Sequence, residues 1–428
     1  SNSFTAANLT IRNTAKNGIN NGGATFKVTG TISVTNTGAD GVSSNKQVEA
    51  GNIHVTGTIG GTPVKNSGTM TVTGLVKVTN VTGKAVNVIQ NTGTMTLTDV
   101  LVDGVKIIVG TDGAGAQNTN VANGIYNQTK LTLNGTATVT NLFTDVKNNT
   151  LGAGLLVTKG GTVTGTGSLV ITGTASTDES YPYGINNGIF IDGAEGKSSV
   201  NLTGDITVTG AANQGIYLAN ELVEEGVVNG STALSARNIT VTNVAGNGIY
   251  MNKVNSALTV TGTITIDNAK GHGLSCMGGS VSAANMTIQN ISTKNGIEST
   301  GIFTVTNTLQ VKNVTKCFGT FKALDDLSMT VPKGTVYGLV GPNGAGKSST
   351  IKVMSGILTP DAGNCVIDGL VPWKNRAEHV RRIGVVFGQR SQLWWDVPVV
   401  DSFELLRDIY RIDPQLYRRN LNDLTQLL

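Results

Sequence analysis

The chain has 428 residues, of which 56 are Gly, 8 Pro and 3 Cys, with 14% charged and a net charge of +4. A mean hydropathy of +0.03 excludes a disordered chain, and no run of ~18 apolar residues is available to span a membrane. Three scattered Cys without a CxxC pair exclude a disulfide scaffold and a thiolate zinc site, and so small a positive balance leaves no electrostatic footprint for nucleic acid.

These averages conceal two materials. Residues 1–310 hold 16 Lys+Arg and 16 Asp+Glu, whereas residues 311–428 hold 15 and 11, so the whole net charge resides in the second part. All three Trp (Trp373, Trp394, Trp395) and six of the eight Pro follow residue 330, while 45 of the 56 Gly precede residue 311. The length predicts two or three domains, and the composition places the seam near residue 308. The chain opens at Ser1 with no Met and no leader pattern, from which a start upstream of Ser1 is expected.

Residues 1–307 repeat a loose unit. A Thr/Val alternation leads to Asn, then a turn of small residues, then Gly followed by Ile, Val or Leu. Ile11-Arg12-Asn13 leads to Asn17-Gly18-Ile19, Val241-Thr242-Asn243 to Asn247-Gly248-Ile249, and Ile288-Gln289-Asn290 to Asn295-Gly296-Ile297. The anchors Gly188, Gly215, Gly248, Gly273 and Gly296 recur at solenoid spacing. Leu258-Thr259-Val260-Thr261 and Met70-Thr71-Val72-Thr73 alternate with a period of two, the pattern of a half-buried strand. Short strands between Asn/Gly turns, with no helical period, predict a mainly β fold, a parallel β-helix with Val, Ile and Leu inward and Thr outward.

This first part resembles the parallel β-helix regions of bacterial surface adhesins and autotransporter passengers. The resemblance implies a structural or adhesive rod at the cell surface, with an unknown surface ligand. A carbohydrate-active enzyme on such a scaffold needs paired carboxylates or a carboxylate with a basic partner. Asp40, Asp103, Asp112 and Asp192 each precede Gly, which is turn chemistry. His54 and His272 have no companion ligands in sequence, and Cys276 reads as a small core residue.

The second part carries the chemistry. Thr335-Val336-Tyr337-Gly338-Leu339-Val340 reads as a buried strand. Gly341-Pro342-Asn343-Gly344-Ala345-Gly346-Lys347-Ser348 then matches G-x-x-x-x-G-K-[ST] in full. Ile351, Met354, Ile357 and Leu358 mark the buried face of a following helix, closed by Pro360 and Gly363. In that strand–loop–helix context the loop curls its N–H groups toward phosphates, aided by the positive helix N-terminus. Gly341, Asn343, Gly344, Ala345, Gly346, Lys347, Ser348 and Ser349 are the expected nucleotide-binding residues. Lys347 would reach the β- and γ-phosphates, and the Ser348 hydroxyl would bind Mg²⁺.

From about Leu309 onward the chain resembles the N-terminal half of an ABC transporter ATP-binding subunit, of the exporter type. The resemblance implies a partial α/β P-loop NTPase domain over residues 308–428 that binds ATP and Mg²⁺. It also implies partnership with a transmembrane subunit and a second ATPase protomer. It assigns Phe318, in Lys316-Cys317-Phe318-Gly319, to stacking on adenine. Thr359-Pro360-Asp361-Ala362-Gly363 and Val366-Ile367-Asp368-Gly369 fit the family's turn and strand after the first helix. Ile383 to Gln389 fits the strand ending in the glutamine loop, with Gln389 as Mg²⁺ ligand and Gln392 as the alternative. Trp394 and Trp395 fit the surface that meets the transmembrane subunit. Asp401 to Arg411 reads as an amphipathic helix, and Arg381-Arg382 and Arg418-Arg419 as solvated faces.

No LSGGQ-like signature, apolar strand ending in Asp-Glu, or switch His follows Ser348 in these 428 residues; His379 precedes Gln389 and is out of order. Weak Mg-ATP binding without efficient hydrolysis is therefore expected. Val311-Lys312-Asn313 mimics the repeat of the first part, and no Pro-, Ser- or charge-rich linker intervenes. A cell-surface β-helix joined to an ATPase of the cytoplasmic membrane face suggests a chimeric or truncated reading frame.

Overall fold

The computed structural model describes residues 3–84, 87–108, 122–145, 152–173, 179–180, 183–219, 230–252, 255–305, 308–332, 337–340, 342, 344–385, 398–409 and 412–425. The fold is mainly β, with large parallel sheets and few helices. It divides into two compact units, Ser1–Arg376 and Ala377–Leu428.

In the first unit, among the described residues, nineteen strands join in one sheet and eleven in a second. Alternation decides which side chains are interior. In the strand Thr69–Gly83, Met70, Val72, Val76, Val78 and Val81 are buried and the intervening residues meet solvent to varying degrees. Each strand pairs in parallel register with the equivalent strand of the next repeat. One apolar column therefore runs from Ile11 through Val34, Val55, Val78, Val102, Val139, Ile171, Val208, Val241 and Ile266 to Ile288. From Val34 to Ile266 its members are at most 1% exposed.

Two residues after the column the chain turns a corner, and the sequence supplies residues that tolerate a left-handed backbone. Asn13, Asn36, Asn80, Asn141, Asn243, Asn268 and Asn290 take φ between 46 and 56°, and Gly57, Gly104 and Gly210 do the same work in other repeats. The side chains of these Asn also bridge repeats, as in Asn36 Nδ2 to Asn13 Oδ1 at 3.0 Å and Asn268 Nδ2 to Asn243 Oδ1 at 2.8 Å. The Gly anchors have a steric reason. A Cβ on Gly188, Gly215, Gly248 or Gly273 would lie 2.2–2.4 Å from Val208, Val241, Ile266 or Ile288, and 2.5 Å from the carbonyl of the next anchor. At these points the second sheet's backbone lies directly against the column. A second Asn series is interior: Asn66 donates to Asn91 and Asn91 to Asn127, both at 2.8 Å, with all three fully buried.

From Thr308 the pairing changes sense. Thr308–Phe318 lies between Phe321–Pro332 and Ala362–Val366 in a three-stranded sheet, antiparallel to both. Asn313 keeps the left-handed backbone of the repeats at φ 50°, so the Val-x-Asn mimicry is local and does not extend the parallel pairing. Val366 and Val371 join the long apolar core of the repeats, with Trp373 packed on it. A smaller core of Val314, Leu324, Val353 and Cys365 lies between this sheet and the helix Lys347–Met354.

The second unit contributes the helices Val399–Ile409 and Pro414–Thr425. The first is the amphipathic helix expected over 401–411, as far as that range is described. The second starts on Asp413, whose Oδ1 accepts the N–H of Gln415 and Leu416 at 2.9 and 3.0 Å ahead of Pro414 in the first turn. Arg381, Arg382, Arg418 and Arg419 are exposed, as solvated faces should be.

Two sequence expectations are corrected. The buried strand before the phosphate loop is absent over its described part: Tyr337–Val340 forms no strand, and Tyr337 and Val340 are 51% and 93% exposed. A strand of this kind is buried only when parallel neighbours flank it, and among the described residues none does. Of the face expected to be buried, Ile351 and Ile357 lie exposed, while Met354 and Leu358 pack on the core that holds Val353, and Thr350 is buried as well. The helix also ends sooner than Pro360 and Gly363 would dictate. It closes at Met354, where Gly356 at φ 74° follows Ser355 and its N–H bonds Val353 O at 3.1 Å.

Candidate functional site

The site is built on the turn from Pro342 into the helix Lys347–Met354. Ala345 N–H bonds Pro342 O at 3.2 Å, and Gly344 and Gly346 take φ of 87 and 80°. Gly346 caps the helix, and a Cβ there would meet Ala323 O at 2.5 Å and Leu324 Cδ2 at 2.8 Å. Only Gly satisfies both the left-handed backbone and that contact. The first helical bond is Thr350 N–H to Gly346 O at 2.8 Å, so the N–H groups at the start of the helix point along its axis toward the loop. No acidic residue occupies the first turn. A helix start with this charge pattern suits an anion.

Lys347 Nζ donates to Pro342 O at 2.6 Å, which folds the ammonium back over the loop. An incoming phosphate would compete with that carbonyl and win by charge. Ser348 is exposed beside it. Its hydroxyl is a hard oxygen donor of the kind Mg²⁺ accepts, and that ion takes most of its remaining ligands from phosphates and water. Among the described residues no group of three His, Cys, Asp or Glu is placed to hold a metal, so the fit is to a cation that arrives with its phosphates. Gly344, Ala345, Gly346, Lys347, Ser348 and Ser349 thus meet at one helix end. Gly341, Asn343, Gln389, Gln392, Trp394 and Trp395 lie outside the described residues.

Phe318 is at the tip of the hairpin formed by Thr308–Phe318 and Phe321–Pro332, opposite Phe321, with Gly319 at φ 61° making the turn. It is 51% exposed. The same hairpin touches the phosphate loop through Ala323 and Leu324 at Gly346, which brings the aromatic and the loop onto neighbouring elements. Sequence reading missed Asp361, whose Oδ2 accepts Cys317 N–H at 2.6 Å and whose Oδ1 accepts Lys316 Nζ at 3.0 Å. The Cys317 amide first, and then the Lys316 ammonium, hold its carboxyl below the ordinary value of 3.8.

Away from this site the carboxylates that precede Gly bond mainly across repeats, and only Asp192 to Ala194 is a local turn bond. Asp40 accepts Thr62 N–H at 2.8 Å, Asp103 accepts Asn141 Nδ2 at 2.8 Å, and the buried Asp192 accepts Thr158 Oγ1 at 3.2 Å and Ala194 N–H at 3.1 Å. Asp112 lies outside the described residues. His272 has a companion that sequence spacing did not reveal, Glu298 at 3.0 Å one repeat later. Cys276 is buried, which pushes its thiol up. A cavity of about 680 Å³ in the first unit is lined by residues including Asn290, Lys294, Asn313, Asp361 and Trp373 and by none of the phosphate loop.

Among the described residues no helix is long and apolar enough to cross a membrane. Comparison with known proteins matches residues 324–426 to the ABC transporter family model. The ribose import ATP-binding protein RbsA of Pseudomonas putida is 43% identical over 88 residues, 21% of this chain and 17% of the relative. The xylose/arabinose import ATP-binding protein XylG of Sulfolobus acidocaldarius is 39% identical over 102 residues, 24% and 41%. The linearmycin resistance ATP-binding protein LnrL of Bacillus subtilis is 41% identical over 78 residues, 18% and 25%. The chain spans less than half the length of each of these relatives. Residues 324–426 are therefore similar to the ATP-binding domain of ABC transporters, and the repeats lie outside that match.

Proposed function

We propose that residues 308–428 are an ATP-binding module of an ABC-type transporter, acting through Gly341 to Ser349, with Phe318 against adenine and Ser348 and Gln389 at Mg²⁺. The observation that carries this is the Gly346-capped helix start, where Lys347 and Ser348 meet an acid-free first turn. When bound, Mg²⁺ offsets charge on the phosphates. The chain's own part is to cradle them with backbone N–H groups, place the Lys347 ammonium and orient the base. Lys347→Ala removes a charge-assisted contact of about 1.5–3 kcal/mol, which predicts ATP affinity lower by about 10–100-fold in a calorimetric titration. Unchanged affinity would sink the reading. The proposal leaves transport direction open, because import and resistance proteins share the matched segment.

These 428 residues carry no Asp-Glu strand and no signature after Ser348, so we expect them to bind ATP weakly without efficient hydrolysis. Phosphate release that Lys347→Ala abolishes would contradict that. A transmembrane subunit and a second ATPase protomer are the partners this reading implies.

A second reading is favoured for residues 1–307. The column from Ile11 to Ile288 supports a parallel β-helix, and with it a structural or adhesive surface protein joined to the ATP-binding segment as a chimera. Cleavage of the repeats by protease added to intact cells is expected; protection until lysis would overturn it. A carbohydrate-active role has less support, since Asp40, Asp103 and Asp192 are already held by Thr62, Asn141, Thr158 and Ala194.

A further inference from the structure

We propose that Asp361 is a positioning residue for the nucleotide, tying the Lys316–Cys317 backbone and the Lys316 side chain into a latch that sets the ring of Phe318 for the adenine. The inference rests on the ATP-binding reading above and adds to it a residue that touches no ligand.

Three ties converge on this one turn. Asp361 N–H donates to Thr315 O at 2.8 Å, Oδ2 accepts Cys317 N–H at 2.6 Å, and Oδ1 accepts Lys316 Nζ at 3.0 Å. They fasten consecutive residues of the hairpin to a segment more than forty positions later. The Lys316 ammonium then lies 5.7 Å from the Phe318 ring centroid, within cation–π range. Its side chain is only 16% exposed, while Phe318 is half exposed. One face of the ring is thus engaged by a held cation, and the other is left for a planar ligand.

The tip has little else to hold it. Gly319 has nothing within 4 Å of where a Cβ would sit. Two pairs back from the tip, Lys316 lies opposite Leu324, and Ala323 and Leu324 abut Gly346 of the phosphate loop. At ~3.4 Å per residue the ring therefore stands about 7 Å along the hairpin from the level of that contact. The latch fixes the remaining freedom, the angle of the tip relative to the phosphates. The depressed Asp361 carboxyl keeps it engaged at neutral pH and releases it only in acid.

The test titrates the full chain with Mg²⁺ and two ligands, ATP and inorganic tripolyphosphate; the second reports the phosphate loop alone. Asp361→Ala and Lys316→Met are each expected to weaken ATP about tenfold, within the range of a lost base–aromatic stack, and to leave tripolyphosphate unchanged. Lys316→Arg should retain ATP affinity, and Asp361→Ala should add nothing once Phe318→Ala is present. Unchanged ATP affinity in Asp361→Ala overturns the latch. Equal weakening of both ligands also overturns it, since that marks loosened packing. If the unmodified chain binds no tripolyphosphate, the ATP-binding reading fails and the latch falls with it.

Discussion

At Gly346 two demands coincide. The backbone is left-handed at φ 80°, and a side chain would collide with Ala323 O at 2.5 Å. The first costs an L-residue about 1–2 kcal/mol, and the second moves the hairpin off the loop. Gly346→Ala is therefore expected to lower the melting temperature and abolish ATP binding together. A variant that binds ATP normally would show that the helix cap can move freely. At Asp361 the sign runs with its depressed carboxyl. The stabilisation is complete above the ordinary value of 3.8 and is lost as pH falls through the lower folded value. The ATP preference over tripolyphosphate should accordingly hold at neutral pH and fade below about pH 4. The phosphate loop was legible in sequence because its chemistry is contiguous. Asp361 was not, because its partners Lys316 and Cys317 are set beside it only by the pairing of Thr308–Phe318 with Ala362–Val366.

At the scale of the element, the repeats were legible because each carries its own instructions. Alternation fixes the faces, Asn supplies the corner, and Gly the close approach. The Asn66–Asn91–Asn127 series was hidden, since a buried amide looks in sequence like any turn residue. Asn91→Ala leaves the buried Asn127 oxygen without its Asn91 donor, while Asn66 Nδ2 keeps Thr94 O at 2.9 Å, a loss of about 1–3 kcal/mol. Asn36→Gly, at an exposed corner whose equivalent is Gly57 in the next repeat, should change stability far less. Denaturant unfolding of the two variants checks this, and equal losses would mean that the buried series contributes nothing particular. The Tyr337–Val340 segment failed for the opposite reason to the repeats. A strand buried on both faces takes its order from neighbours, and its own apolar run cannot provide them.

At the scale of the molecule, the column holds its line while repeat length varies. It advances 21–25 residues per repeat between Ile11 and Val102 and again from Val241 to Ile288, but 32–37 between Val102 and Val241. Among the described residues the paired positions keep register across that difference. Parallel pairing at every step also makes stability a sum over neighbours. Removing residues 209–241 would follow Val208 directly with Thr242 and Asn243, and set Ile171 and Ile266 on either side of Val208. That shortened chain is expected to fold and to unfold at a modestly lower temperature. Collapse of the whole first unit would show that the longer repeats are not interchangeable with the rest.

The same column has a genetic consequence. Most repeats offer the next an edge of the same shape, closed by a left-handed Asn or Gly, so the fold checks a newcomer only at its first few residues. Val311-Lys312-Asn313 keeps only the left-handed Asn of that edge, since its strand is antiparallel from Thr308 onward. A lineage of such repeats would be unusually permissive to crossing over, because a join made at Val-x-Asn leaves everything upstream correctly wound whatever gene supplies the remainder.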